Sequence, residues 1–402
     1  MIARILLGVA LVGTLTSTVY LALVIVAAIR FKRRDRSAAA SQPAAFPPAS
    51  LLKPLHGAEP GLEQYLESFF SLDYPNFEIL FCARTGDDAG LRIAREVAAM
   101  HPKIPVRFLV SGQPPWPNAR CYSLSVMAPE AAHDILVITD SDVRVRRDFL
   151  RQVVPPLIAD GVGASTCVYR GDATGRGFWA LMEGLGMSVE MTAGVLVADL
   201  LEGMRFTLGP CMIVRKDALE AIGGFGRLGD YYADDFMLGN LVAASGRTVA
   251  LSTYIVDHCI VNNSFRHNLS HQWSWMKSTR ASRPLGHLGT GLTFAAPFGF
   301  VGLIEGWLMH MPLLGAGLLV WAYLSRVLLC LCAGGWVIGD PAAYRDCWLY
   351  PLRDLMGAFV WVASYTSRRV GWRDDRFILE KGGLMRKIAP PAPLPPASLP
   401  KK

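Results

Sequence analysis

Residues 135–142 read I-L-V-I-T-D-S-D, an apolar run that ends in two aspartates separated by one residue. A short run rich in β-branched residues is typical of a strand buried on both faces, as in a parallel sheet. Ligands of such sheets bind in the crevice at the carboxyl ends of the strands. Asp140 and Asp142 are therefore predicted to lie at that crevice, where paired carboxylates suit a divalent cation. An ordinary strand end followed by an Asp-rich turn explains this short pattern equally well.

The composition separates this chain from both soluble proteins and simple membrane bundles. Hydrophobic residues make up 52% of the 402 residues, and charged residues only 18%. That is too apolar for a wholly soluble protein and too polar for a pure transporter bundle. The length allows one large domain with additional segments. None of the eight cysteines forms a C-x-x-C pair, so neither a zinc site nor a disulfide framework is predicted.

The N-terminal segment has the pattern of a membrane anchor. Residues 5–29 carry no charged side chain and are long enough to cross a hydrocarbon core of about 30 Å. The basic residues that follow are Arg30, Lys32, Arg33, Arg34 and Arg36. Positive flanks stay in the cytosol, so residues 1–36 are predicted to be a transmembrane anchor whose N-terminus faces outward. A cleaved signal peptide is disfavoured because the apolar run is too long and the positive cluster follows it.

Strand and helix patterns alternate after an Ala- and Pro-rich linker at residues 37–50. Strands are predicted at residues 77–83, 106–110, 135–138, 162–168, 206–214 and 248–256. Helices are predicted at residues 62–70, 89–100, 122–132, 216–222 and 236–244. This alternation predicts that residues 51–287 form an α/β domain with a doubly wound sheet of the kind that binds nucleotides.

Two segments of this domain allow two interpretations each. Residues 178–201 are apolar apart from three acidic residues and are either a wall for an apolar acceptor or a plain buried helix. The glycine-rich loop before them lacks the ending of a phosphate-binding loop. Asp234 and Asp235 stand before a helix, where acids serve as caps as well as catalytic groups.

The helix predicted at residues 267–280 carries several polar and aromatic side chains. His271, Trp275, Lys277 and Arg280 are spaced so that they lie within reach of one another. Hydrogen-bond donors and a large aromatic ring there would offset charge on a leaving diphosphate. A basic amphipathic helix at the membrane surface is the other interpretation, and the two are compatible.

The C-terminal part is membrane-like again over residues 288–370. Its apolar stretches are interrupted by a few charged residues: Glu305, Arg326, Arg353 and Asp354. The tail at residues 371–402 and the end of the last stretch carry basic residues that favour the cytosol: Arg368, Arg369, Arg373 and Arg376. Three full spans would place the tail outside, so at least one stretch is predicted to be re-entrant or interfacial.

Several motifs together resemble a known family. They are L-L-K-P-L-H-G at 51–57, L-E-S-F-F-S-L-D-Y-P at 66–75, D-S-D-V-R-V at 140–145, R-K-D at 215–217, A-D-D at 233–235 and W-R-D-D-R-F at 372–377. The chain is similar to membrane-bound inverting glycosyltransferases of the ceramide glucosyltransferase type, and it also resembles the bacterial hopanoid-associated glycosyltransferases. The resemblance extends from about residue 51 to residue 380. Its first two motifs are specific, whereas the aspartate motifs fit any glycosyltransferase A fold.

The resemblance implies a fold, a reaction and a set of site residues. The fold is a glycosyltransferase A-type doubly wound mixed sheet between an N-terminal anchor and C-terminal membrane helices. The domain would face the cytosol at a bacterial inner membrane and move a hexose from a UDP-sugar to a lipid such as ceramide or a hopanoid. It would use Mg²⁺ or Mn²⁺ and have no nucleic-acid partner. The implied roles are uridine contacts for Lys53, Pro54 and Gly57, metal and diphosphate binding for Asp140 and Asp142, catalytic base for Asp235, and diphosphate neighbours for His271, Trp275, Lys277 and Arg280.

Departures from the family pattern cluster in the expected site. Thr85 stands where a first aspartate is usual, with Asp87 or Asp88 as substitutes only if the loop shifts. Arg120 replaces a lysine, and Ser274 replaces the arginine before the tryptophan. A catalytically impaired member that acts as a membrane-anchored binding protein is therefore the alternative function. A processive polysaccharide synthase is a third hypothesis, but it would need a larger channel-forming set of helices and the intact arginine-tryptophan motif.

Overall fold

A mixed β-sheet forms the centre of the protein. The computed structural model describes residues 1–40, 46–175, 177–261, 264–372 and 375–388. Within these residues the sheet has eight strands in the order β3-β2-β1-β4-β7-β6-β8-β5. Their bounds are β1 Ala49–Pro54, β2 Phe77–Ala83, β3 Val106–Val110, β4 Ile135–Thr139, β5 Val143–Arg144, β6 Val162–Asp172, β7 Cys211–Arg215 and β8 Thr248–Cys259.

The direction of pairing changes in the middle of this sheet. Strands β3, β2, β1 and β4 are parallel, whereas β7 runs antiparallel to both β4 and β6. Every residue of β2 and β4 is buried, as continuous apolar runs in a covered sheet require. The predicted α/β class with a mixed sheet is therefore confirmed. The antiparallel pairing also brings the residue after β4 next to the residues before β7.

Helices cover this sheet and form the membrane-like parts. Their bounds are α1 Ile2–Ala40, α2 Leu62–Phe70, α3 Ala89–Met100, α4 Ala119–Glu130, α5 Phe149–Val153, α6 Phe178–Leu185, α7 Thr192–Glu202, α8 Lys216–Ala221, α9 Asp234–Ala244, α10 Phe265–Ser282, α11 Pro284–Thr290, α12 Ala296–Leu308, α13 Pro312–Leu329, α14 Pro341–Arg345 and α15 Tyr350–Ala363. A π-helical segment, Gly186–Met191, joins α6 to α7, and a second one, Cys330–Val337, continues α13.

Element boundaries differ from the sequence prediction where a side chain or a turn intervenes. Helix α4 begins three residues early because the Asn118 side chain accepts a hydrogen bond from the Cys121 N–H and caps the helix. The strand predicted from residue 206 begins only at Cys211, since Thr207 and Gly209 turn toward Asp235. Helix α1 continues to Ala40, into the predicted linker. Linker residues 41–45, Arg373, Asp374 and tail residues 389–402 lie outside the described residues.

The described residues contain three helices that are long and apolar enough to cross a membrane. They are Ile2–Ser37, Phe178–Glu202 and Pro312–Val337. In the first, 28% of the most apolar window is buried inside the protein, whereas the corresponding value for Phe178–Glu202 is 72%. The helix Phe178–Glu202 thus packs within the protein, as the buried-helix interpretation of residues 178–201 predicted. Helix α12 is shorter, and pairs closely with α13 through glycines.

Three of the four charged residues of the apolar C-terminal stretches form ion pairs. Arg326 Nη1 lies 3.3 Å from Asp354 Oδ1, and both side chains are almost fully buried. The other Asp354 oxygen accepts hydrogen bonds of 2.9 and 2.8 Å from the backbone N–H groups at the start of α12. Arg353 Nη2 lies 2.9 Å from Glu190 Oε2 in the π-helical segment. These ion pairs compensate charges that would otherwise be costly in an apolar environment.

A second, small sheet closes the described part of the chain. Its antiparallel strands are β9 Arg369–Trp372, β10 Asp375–Leu379 and β11 Met385–Lys387, in the order β11-β10-β9. Val370, Phe377, Leu379 and Met385 form its apolar cluster, against which Tyr232 and Ala281 pack. The sheet therefore leans on the segment before α9 and on α10.

Replacing Arg326 by leucine should strongly destabilise the membrane part. The change leaves the buried Asp354 carboxylate without its cation, which typically costs about 3 to 5 kcal/mol. We expect a clearly lower thermal unfolding midpoint for Arg326→Leu in detergent. Arg345→Leu is the control, since that arginine side chain is 73% exposed. Equal midpoints for the two variants would contradict the importance of the pair.

Candidate active site

A buried lysine, Lys53, holds the backbone at Asp140 in place. Lys53 Nζ donates to the Asp140 carbonyl and to Thr139 Oγ1, both at 2.9 Å, and lies 3.7 Å from the centre of the Phe69 ring. The lysine side chain has no exposed surface. Burial lowers the pKa of Lys53 to about 7, although the charges of Asp140 and Asp142 oppose this shift. The structure thus places Lys53 behind Asp140, without the exposed surface that a direct contact with uridine would need.

Arg120 connects the two aspartate motifs. This residue lies in the first turn of α4, and its guanidinium is nearly buried. Its Nη2 lies 2.9 Å from Asp140 Oδ1 and donates at 3.0 Å to the carbonyl of Gly209, while Nη1 lies 2.5 Å from Asp234 Oδ2. The sequence identified Arg120 only as a cation that replaces a lysine. The structure places it between carboxylates that come from separate elements.

Asp235 lies in the first turn of α9, and two backbone N–H groups hold its carboxylate. Gly209 N donates to Oδ2 and Phe236 N to Oδ1, both at 2.8 Å. The N-terminal capping position of the helix is Ala233, so the interpretation of the two acids as caps explains little. Burial and the charge of Asp234 raise the pKa of Asp235 to about 6, while the two hydrogen bonds moderate the shift. A carboxylate with this pKa suits proton transfer near neutral pH.

The carboxylates of Asp140 and Asp235 both lie close to Gly209. A Cβ atom on this glycine would lie 3.3 Å from Asp235 Oδ2 and 3.6 Å from Asp140 Oδ2. The proximity follows from the antiparallel pairing of β4 with β7, which aligns Thr139 with Cys211. The structure therefore brings together the predicted metal-binding aspartate and the predicted base. No sequence motif had singled out Gly209.

Asp142 has a histidine neighbour that sequence reasoning missed. His258 Nε2 lies 3.3 Å from Asp142 Oδ2, because His258 in β8 pairs with Val143 in β5. Asp142 Oδ1 and His258 Nδ1 are buried and have no hydrogen-bond partner among the described residues. On the other side of the motif, Ser141 Oγ donates to Glu59 at 3.1 Å. Burial and the charge of Asp142 raise the pKa of Glu59.

These residues provide ligands that a divalent cation accepts. Two carboxylates and an imidazole suit Mn²⁺, and the oxygens also suit Mg²⁺. The unpartnered Asp142 Oδ1 supports this fit, since a buried carboxylate oxygen normally has a hydrogen-bond donor or a metal. Among the described residues, no group of three or more potential ligands is gathered around one point. Full coordination would therefore need oxygen atoms from the substrate or from water.

The helix α10 carries the predicted diphosphate motif, but only part of it stays together. His271 Nδ1 lies 2.8 Å from Glu183 Oε1, and its ring centre is 4.1 Å from that of Trp275. Lys277 Nζ instead donates to the carbonyl of Arg369, and Arg280 Nη2 donates to the carbonyl of Ser367 at 2.9 Å. These two cations hold the C-terminal chain. The sequence could not show this, because the carbonyl acceptors are 92 and 87 residues away along the chain.

The segment before Asp234 is held from two sides. Met385 N donates to the Asp230 carbonyl at 2.8 Å, and Tyr232 N donates to the Gly383 carbonyl at 3.0 Å, so this segment adds to the C-terminal sheet. From the other side, Asn118 Nδ2 donates to the Tyr231 carbonyl at 3.0 Å. The Tyr232 side chain also forms a hydrogen bond with Ser274, the residue that replaces the family arginine.

A pocket beside Arg120 lies where the predicted uridine contacts begin. It is lined by residues at the ends of β1, β2 and β3 and at the start of α4, among them Pro54, Leu55, Arg84, Ser111, Arg120 and Tyr122. Gly57 lies on the same loop, and its N–H donates to Asp88 at 3.0 Å. Asp88 also caps α3, so its carboxylate is already committed, and Asp87 is fully exposed.

Comparison with known proteins places the chain in a family. The model of glycosyl transferase family 21 matches residues 9–385. Ceramide glucosyltransferase 1 of Caenorhabditis elegans is 24% identical over 351 residues, which cover 85% of this chain and 73% of the relative. Ceramide glucosyltransferase 3 of the same organism is 24% identical over 352 residues, covering 86% and 75%. A solved mannosyltransferase from Pyrobaculum calidifontis, in complex with GDP-Man and Mn²⁺, aligns with 87% of this chain and 99% of its own at 18% identity and a TM-score of 0.46.

The family model spans nearly the whole chain, including the anchor, the aspartate motifs and the C-terminal sheet. The resemblance that the motifs indicated is confirmed. This chain belongs to glycosyl transferase family 21.

Proposed function

We propose that this glycosyltransferase moves a hexose from a UDP-sugar to the hydroxyl group of a membrane lipid such as ceramide or a hopanoid, with inversion. The observation that carries the proposal is that the carboxylates of Asp140 and Asp235 both lie close to Gly209. Family membership, and relatives named as ceramide glucosyltransferases, support the reaction type and the lipid acceptor. The apolar helices support a site next to the bilayer.

Asp235 is the proposed catalytic base. Its carboxylate removes the proton from the acceptor hydroxyl while the acceptor oxygen forms a bond to the anomeric carbon. The bond from that carbon to the diphosphate breaks on the opposite face, and UDP leaves. The backbone donors at Gly209 and Phe236 hold the carboxylate in place, so little reorientation is needed during proton transfer.

The leaving diphosphate needs positive charge, and this chain has two sources for it. Asp140 and Asp142 would hold Mg²⁺ or Mn²⁺ together with oxygen atoms from the substrate or water, and the ion would neutralise charge that develops on UDP. Arg120 is the second source, because it lies at the start of α4 beside the pocket that Pro54 lines. We assign to Arg120 the charge that Ser274 cannot supply. His271 and Trp275 form a polar and aromatic wall on α10.

The proposed location is a bacterial inner membrane, with the domain at residues 51–287 on the cytosolic side. Helix α1 is the anchor, and the basic residues after residue 29 would keep its C-terminal end in the cytosol. UDP-sugars would reach the site from water, whereas the acceptor would enter from the bilayer.

A non-catalytic binding role is the alternative. It is favoured by the commitment of Lys277 and Arg280 to the C-terminal chain and by the commitment of Asp88 to α3. Isothermal calorimetry with UDP and Mn²⁺, combined with a transfer assay, distinguishes the two. The proposed enzyme must bind UDP, and binding without any transfer to a panel of lipid alcohols would favour the alternative.

Asp235→Asn should abolish most of the transfer. Losing a general base typically lowers the rate by about 10² to 10⁴-fold. The assay incubates purified protein with UDP-hexoses and ceramide or hopanoid lipids and detects glycolipid by mass spectrometry. Asp160→Asn, at an exposed surface position, is the matched control and should keep full activity. An unchanged rate in Asp235→Asn would remove the assignment of the base.

The pH profile should show an acid limb near the pKa of Asp235. The base must be deprotonated, so kcat/KM should fall about tenfold per pH unit below a pH of about 6. Asp234→Asn removes a neighbouring negative charge that raises this pKa. We therefore expect the acid limb of Asp234→Asn to move to lower pH. A shift to higher pH, or none, would contradict the electrostatic account.

Removing the residues after Glu380 should lower the activity without lowering the thermal stability. A chain that ends at Glu380 loses the hydrogen bonds from residues 383–385 to the segment before Asp234, so kcat should fall at least tenfold. A chain that ends at Ile388 keeps those bonds and should retain activity. Both should keep similar thermal midpoints, because the large core does not include the small sheet. Full activity in the shorter chain would show that the sheet does not position Asp235.

A further inference from the structure

A cleft between α1 and α7 combines apolar walls with positive charge. It has a volume of about 540 Å³ and is lined by Val26, Ile29, Leu200, Arg30, Arg33 and Arg34. The cleft contains no residue that the proposed transfer reaction uses.

The guanidinium groups of the cleft are only partly neutralised. Arg34 Nη2 lies 2.6 Å from Asp199 Oδ2, whereas Arg34 Nε is buried and finds no hydrogen-bond partner in the part of the chain that the structure describes. Arg30 and Arg33 are exposed, and neither takes part in an ion pair within the described part of the chain. The cleft therefore presents at least two uncommitted positive charges beside a buried donor.

The position of the cleft in the fold is that of a water–lipid boundary. The uncharged run of α1 ends at residue 29, immediately before Arg30. At the adjoining end of α7, Glu202 pairs with Arg283 at the start of α11. Leu201 and Leu285 in this region are 65% and 83% exposed. Exposed leucines beside arginines fit the headgroup region, where apolar side chains contact acyl chains and cations contact phosphates.

We propose that this cleft binds the phosphate of an anionic phospholipid, with the first part of its acyl chains against Val26, Ile29 and Leu200. Arginine recognises phosphate through paired N–H donors, and the net charge of the cleft favours an anionic headgroup. A ceramide or hopanoid acceptor carries no such charge, so this lipid is distinct from the acceptor. A bound lipid would bridge α1 and α7 beside the Arg34–Asp199 pair and strengthen the attachment of the anchor to the domain.

Native mass spectrometry of the full-length protein tests the proposal. The protein is titrated with phosphatidylglycerol, with phosphatidylcholine, and with phosphatidylglycerol plus inorganic phosphate. We expect retention of phosphatidylglycerol by the native chain, and roughly thirtyfold weaker retention by Arg30→Gln/Arg33→Gln, given about one kcal/mol per arginine. Thermal unfolding in phosphatidylcholine should be similar for the variant and the native chain, which excludes misfolding.

Lys32→Gln/Arg36→Gln is the matched control. It removes the same charge from the same basic flank, but neither residue lines the cleft. This control should retain phosphatidylglycerol as the native chain does. Equal losses of phosphatidylglycerol retention in the two double variants would mean that the whole basic flank attracts the lipid diffusely. That result would overturn the proposed site. Equal retention of phosphatidylcholine and phosphatidylglycerol would also overturn it, and so would displacement of the lipid by inorganic phosphate at equal concentration.

Discussion

The contact of Arg120 with two aspartates is the interaction on which the arrangement of the site depends. Asp140, Asp234 and Asp235 come from the end of a strand and the start of a helix, and they converge in a small, partly buried space. Like charges at such distances repel, and burial adds a desolvation cost. One guanidinium between Asp140 and Asp234 offsets both effects. It leaves Asp235 as the acid without a direct cation, and burial then raises its pKa toward the range that proton transfer needs.

The C-terminal part of the chain supports the same site from outside. Residues 383–385 bind the backbone before Asp234, and α10 binds the start of the small sheet through Lys277 and Arg280. A helix that carries His271 and Trp275 is thereby linked to the helix that carries Asp235. The W-R-D-D-R-F motif at residues 372–377 thus belongs to an element that supports the site, although Arg373 and Asp374 lie outside the described residues. This explains why a family match reaches beyond the membrane helices.

The membrane part obeys the same rule of compensated charge. Arg326 pairs with Asp354, Arg353 pairs with Glu190, and Asp354 also accepts from the start of α12. Each pair joins helices that are distant in sequence. Charged residues that look like interruptions of an apolar stretch are therefore the contacts that fix how these helices pack. The Arg34–Asp199 pair likewise joins α1 to α7.

Local pattern by itself determined much of this protein. Strand β2 and helices α2 and α3 have the predicted bounds, because apolar periodicity and turn residues are properties of short segments. The places of Asp140 at a strand end and Asp235 at a helix start were predicted for the same reason. Only the tertiary structure decided the rest. His258 meets Asp142, Gly209 separates two carboxylates, Lys53 is buried, and Lys277 turns away, because the order of strands and the packing of distant segments set these contacts. No local pattern records which strand will be a neighbour.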